Sequence, residues 1–159
     1  MASTVSSGTL KVKIIEEIKL NGRDQGGTTS FNIASINEIS KRILTITTAE
    51  STIATFSAAV ASAGHYIAAD VRYMRFTNKD DTNFITLTFR NQDNDEVAIK
   101  VDAKNSFMLY ADNDAGMVGV FNATQAADAA SDTALGSLTN IQADAGASTC
   151  DLEMFIAST

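Results

Sequence analysis

The sequence predicts an all-β protein, an antiparallel β-sandwich, on three observations. Between residues 70 and 110, short alternating runs rich in Val, Ile, Thr, Phe and Tyr follow one another at 70–78, 83–91, 96–102 and 106–110. Clusters at 79–82 and 92–95, dominated by Asp and Asn, separate the first three runs; such side chains bond nearby backbone and make tight turns. Runs of the same kind recur toward both ends of the chain, giving about ten strands at the spacing of a sandwich or barrel. The central runs read as a meander.

Taken in order, residues 1–8 are Ser- and Thr-rich and have neither the basic nor the apolar region of a secretory signal. They read as a flexible or partner-docked arm ahead of a single domain over 9–159. The run 9–20 places Leu10, Val12, Ile14, Ile18 and Leu20 on one face and Lys11, Lys13, Glu17 and Lys19 on the other. Glu16 breaks the pattern, and a bulge near Ile15 would turn it away from a buried face. Residues 21–27, Asn-Gly-Arg-Asp-Gln-Gly-Gly, form a turn or loop that ends this first strand.

Residues 28–38 carry Phe31, Ile33 and Ile36, with Ile39 following, at a spacing that begins with period two and then drifts, so a kinked strand and a short helical turn compete, and the dominance of Thr, Ser, Asn and Ile favours the strand. Strands follow at 42–48 and 51–60, and Gly64 breaks the run. After the central runs, 111–116 is rich in turn formers, and Val118, Val120 and Phe121 suggest one more strand at 117–122. The Ala-rich segment 123–136 is left as loop, with a short helix as its alternative. Strands at 138–143 and 149–157 close the chain, joined across 144–146. The result is a jelly-roll or immunoglobulin-like sandwich with at most one short helix.

A chain of 159 residues fits one domain and buries about two-thirds of its unfolded surface. Its net charge of −7 argues against nucleic acid and anionic lipid as partners, because both demand clustered Lys and Arg. Lys41, Arg42, Arg72 and Arg75 are the residues from which a local basic patch would be built. Apolar stretches are too short and too polar to cross a bilayer as a helix. The single cysteine, Cys150, rules out an internal disulfide. With Leu152, Met154 and Ile156 it shares one face of a strand, which predicts a buried, inert thiol.

Little in the sequence suggests catalysis. His65 is the one histidine, there is no Gly-x-Ser-x-Gly motif, and it reads as a loop residue. Glu16, Asp151 and Glu153 form no recognisable acid pair for glycoside hydrolysis, and Gly26-Gly27 lacks the lysine of a phosphate loop. Oxygen ligands for a stabilising calcium ion are available at Asp112, Asn113 and Asp114 and at Asp80 and Asp81. The pattern Asn91-x-Asp93-x-Asp95 with Asp102 imitates an EF-hand, but Glu96 stands where glycine is required. The competing reading is that these Asp and Asn residues cap their own turns. No cofactor is expected.

The segments Asn-Glu-Ile-Ser-Lys-Arg-Ile-Leu-Thr-Ile at 37–46, Val-Arg-Tyr-Met-Arg-Phe-Thr-Asn-Lys-Asp-Asp-Thr-Asn at 71–83 and Cys-Asp-Leu-Glu-Met-Phe-Ile-Ala at 150–157 resemble small virion structural proteins of marine tailed bacteriophages, including cyanophages. The resemblance carries no catalytic motif. It implies a virion protein assembled in the host cytoplasm, with head decoration or cement the leading role and a tail, connector or fibre component the alternative. The implied partners are the major capsid protein or another virion protein and further copies of the chain. From another class, a glycan-binding module would use the loops 21–27 and 112–116 at one end of the sandwich.

Overall fold

The computed structural model describes residues 6–57, 63–111, 116–121 and 138–159. Strand β1 (Gly8–Glu16) pairs antiparallel with β4 (Gly27–Ile36) as a two-stranded sheet. Between them, β2 (Lys19–Leu20) pairs with β3 (Arg23–Asp24) around Asn21 and Gly22. The φ values of 51° and 75° at these two residues match the turn that an Asn-Gly pair favours between antiparallel strands.

The remaining strands are β5 (Glu38–Ile46), β6 (Ser51–Phe56), β7 (His65–Tyr66), β8 (Val71–Asn78), β9 (Ile85–Asn91), β10 (Glu96–Val101), β11 (Ser106–Tyr110), β12 (Leu138–Ala145) and β13 (Cys150–Ser158). They form a five-stranded sheet, β10-β9-β12-β6-β7, and a four-stranded sheet, β11-β8-β13-β5. The all-β sandwich is the fold of the described residues. Three of its thirteen strands hold only two residues each, which accounts for the excess over ten.

One core fills the space between the sheets. Met74, Phe76, Leu152, Met154 and Ile156 come from one side and Ile85, Leu87, Phe89 and Ile141 from the other. Each such side chain contributes about 1.5–3 kcal/mol when fully buried. Phe89 meets Phe76 and Phe107 edge-on, at centroid distances of 6.2 and 6.0 Å. Cys150 faces the same core with Leu152, Met154 and Ile156, as the alternation of their run predicts. The last two strands are central: β12 lies between β9 and β6, and β13 between β8 and β5.

Asn78, fully buried at the end of β8, ties the sheets together. Its Nδ2 donates to the carbonyls of Asn83 (2.8 Å) and Val101 (3.1 Å), and its Oδ1 accepts from the Asp80 amide (3.0 Å).

Several elements differ from the sequence expectation, each for a local reason. The central runs are not one meander, because β8 and β11 pair in one sheet while β9 and β10 form a hairpin in the other. The two Asp/Asn clusters look alike, but only the second contains a residue at positive φ, Asn94 at 65°, as a tight hairpin turn needs. The two closing strands form as expected, as β12 and β13, and the short link between them crosses from one sheet to the other. The strand expected at 117–122 is instead helix α1 (Gly116–Phe121), where Met117 is fully buried and Val120, three residues on, packs against the core. Gly116, at φ 54°, leaves no room for a Cβ beside the Ala69 carbonyl, and the Met117 amide donates to Ala68.

His65 is not in a loop. It starts β7, which runs parallel to β6 with Thr55 opposite His65. The first strand stops at Glu16, and its irregularity lies between Gly8 and Leu10, not near Ile15. Glu16 is exposed, so no bulge is required there. The loop expected at 123–136, and residues 1–5 of the expected N-terminal arm, lie outside the described residues.

Candidate functional site

Because side chains alternate along a strand, the register of the four-stranded sheet fixes the order of residues on its outer face. Ile39, Ala157, Tyr73 and Tyr110 stand side by side across the four strands. Lys41, Phe155, Arg75 and Met108 form the next row, followed by Ile43, Glu153, Thr77 and Ser106. The face is thus apolar at one end and increasingly polar toward the other.

The β1/β4 hairpin lies over the apolar end. Leu10, Val12, Phe31, Ile33 and Ile36 pack against Tyr73, Met108, Phe155 and Ala157 in a second core cluster. Phe31 stacks on Tyr110 with ring centroids 4.3 Å apart. Ser35, at φ 62°, puts the kink into β4 that the drifting period predicts, and the chain then turns through Asn37 into β5.

Past this base the hairpin leaves the body. Every residue from Lys13 to Ser30 is exposed. Opposite Leu10 and Val12 stand Ile33 and Phe31, but opposite Ile14 and Ile15 stand Thr29 and Thr28, so the paired apolar side chains end there. Strands of nine and ten residues span roughly 30 Å. The distal part of this arm carries Ile14, Ile15, Ile18 and Leu20, the last three 57%, 55% and 61% exposed. The single buried face expected for Leu10, Val12, Ile14, Ile18 and Leu20 is realised only at the base.

Beside the arm, β5 is an edge strand that presents Ile39 (58% exposed) and Ile43 (63%). A groove of about 430 Å³ separates the two, lined by Gly8, Leu10, Lys11, Ile36, Asn37 and Ile39. The charges next to it are neutralised within the sheet. Glu153 accepts from Arg75 Nη2 at 2.6 Å and meets Lys41 Nζ at 3.4 Å. The Arg75 hydrogen bond, with Lys41 adding to it, holds the Glu153 carboxyl below the usual carboxylate range against the opposing effect of burial. Burial pushes the Tyr73 hydroxyl up, with Arg75 opposing. Lys41 and Arg75 therefore converge on one acid instead of forming a basic patch. Arg72 donates to the Ala69 carbonyl at 2.6 Å, and the Arg42 guanidinium lies against Gly64.

The other sequence candidates are spread apart. Asp80 Oδ1 accepts from the amides of Thr82 (2.8 Å) and Asn83 (2.6 Å), and these bonds hold its carboxyl below the usual range. Asn91 Oδ1 accepts from the amides of Asp93 (2.9 Å) and Asp95 (2.8 Å), so the EF-hand-like stretch is a capped hairpin turn. Asp112, Asn113 and Asp114 lie outside the described residues. Among the described residues, no group of three or more His, Cys, Asp and Glu side chains could hold a metal ion, and no helix is long and apolar enough to cross a membrane. The 21–27 loop belongs to the arm and not to an end of the sandwich.

The separateness of the arm was missed in the sequence. Its signal is the near-mirror arrangement of Leu10 and Val12 against Phe31 and Ile33 about Asn21-Gly22, which marks a long hairpin. Compared with known proteins, the chain matches no family model, no curated protein and no solved structure.

Proposed function

We propose that this chain is a non-enzymatic structural protein of a tailed-phage virion, which binds the head shell as a decoration or cement subunit and reinforces it. The observation that carries the reading is the arm, a hairpin standing off a well-packed sandwich with four large aliphatic side chains in water. Apolar surface of this kind is favourable only when something covers it, and a two-stranded hairpin is marginally stable alone. A repeating shell offers such cover. The resemblance of the 71–83 segment to phage virion proteins supplies the particle.

The mechanism is mass action. A subunit that binds the assembled lattice and not its dissociated parts makes that lattice harder to open. The major capsid protein is the partner this mechanism requires. The test is to incubate the purified chain with mature heads of a phage that encodes it, and to analyse intact particles by mass spectrometry. Saturable binding and a stoichiometric presence in particles support the role; no binding, together with absence from particles, rejects it.

A further inference from the structure

We propose that the arm of one copy seats on the β5 side of the outer sheet face of a second copy, with Ile18 and Leu20 of the first against Ile39 and Ile43 of the second. This deepens the assembly reading above by naming one partner of the arm, a second copy of the chain. Three observations on the molecule select that occupant. The first is continuity: the base of the arm already packs on this sheet face through Leu10, Val12, Phe31 and Ile33, and the face continues past that contact onto Ile39 and Ile43, which are left open beside a groove of about 430 Å³.

The second is charge. On the strip, Lys41 stands between Ile39 and Ile43, and its charge, with that of Arg75, is already paired with Glu153, so an apolar arm meets a surface whose charges are compensated. The third is the open edge. Among the described residues, β5 pairs only with β13, and β1 only with β4, so each presents backbone groups along its outer edge to a neighbouring chain. If each copy gives its arm and receives the other's, the contact is self-complementary and closes as a two-fold dimer.

Sedimentation velocity over a range of concentrations tests this with the full chain and three double or single variants: Ile18→Lys with Leu20→Lys on the arm, Ile39→Lys with Ile43→Lys on the strip, and Val97→Lys on the distant strand β10. All change exposed residues, and circular dichroism checks that each variant is folded. The wild type and Val97→Lys should form the same dimer, while the arm and strip variants should each dissociate at least about tenfold more readily. Mixing the arm variant with the strip variant should restore part of the association, because the pair retains one intact arm-to-strip contact.

A wild type that is monomeric throughout, or arm variants that associate like wild type, would overturn the proposal. A monomeric chain that still binds heads through its arm assigns the arm to the shell protein and overturns self-docking alone. Dimerisation as described by a chain that neither binds heads nor occurs in particles overturns the virion reading and leaves self-docking in place.

Discussion

Phe31 stacks on Tyr110 at a centroid distance of 4.3 Å and an interplanar angle of 26°, and this pair joins the arm to the body. Phe31 belongs to β4 of the hairpin and Tyr110 to β11 at the edge of the four-stranded sheet. Because the sandwich core lies on the other side of that sheet, the arm can loosen without unfolding the body.

Phe31→Ala therefore has a local effect. Removing the ring should cost the arm about 1–2 kcal/mol of attachment, leaving the denaturant midpoint of the body nearly unchanged. Limited proteolysis reads the difference, with faster cleavage within residues 13–30 and unchanged cleavage within β8, β9, β12 and β13.

Asn78→Ala should act globally. It removes both Nδ2 bonds and strands the carbonyls of Asn83 and Val101 together with the Asp80 amide, a loss of about 3 kcal/mol. Equilibrium urea unfolding measures it. Asn78→Asp should be at least as damaging, because it replaces the two donors with a charge facing carbonyl oxygens.

Phe89→Ala removes the ring that meets Phe76 and Phe107 across the two sheets and should cost about 3–5 kcal/mol. Thermal unfolding of this variant should begin well below that of wild type.

Acid sensitivity follows from Glu153 and Asp80, whose carboxyls titrate lower in the folded chain than in the unfolded one. Their contribution to stability is complete above the unfolded carboxylate range, about pH 4, and is lost as pH falls through the lower folded values. Unfolding midpoints measured between about pH 6 and about pH 3 should fall with acidification. The slope should be shallower in Glu153→Gln, which is also less stable near neutrality.

Cys150 is buried, and that burial, with Asp80 nearby, pushes its thiol up. A disulfide reagent at mildly alkaline pH should leave the native chain unmodified and label one thiol per chain after denaturation.

Much of the sandwich is legible in the sequence because period-two alternation is strong wherever one strand face meets the core. The run from Cys150 to Ile156 illustrates this: its even positions all point inward. Which sheet each strand joins is not legible, since β8 and β9 alternate alike and differ only in the φ values available in the turns beside them. Met117 and Val120 stand three apart in a short apolar run, and a segment that short does not separate one helical turn from a strand. The arm is the clearest miss, because Ile18 and Leu20 continue the inward pattern of Leu10 and Val12 and yet are 55% and 61% exposed. Ile39 and Ile43 likewise lie in apolar-rich strand sequence and yet face water at a sheet edge.

Mixed-copy cross-linking tests most directly whether the arm is an element of assembly. Copies carrying Ile18→Cys, mixed with copies carrying Ile43→Cys and oxidised gently, should yield a disulfide-linked heterodimer, with the buried Cys150 remaining unmodified. Replacing Ile43→Cys by Val97→Cys should leave only slow, random linkage. Equal rates in the two mixtures would contradict the account.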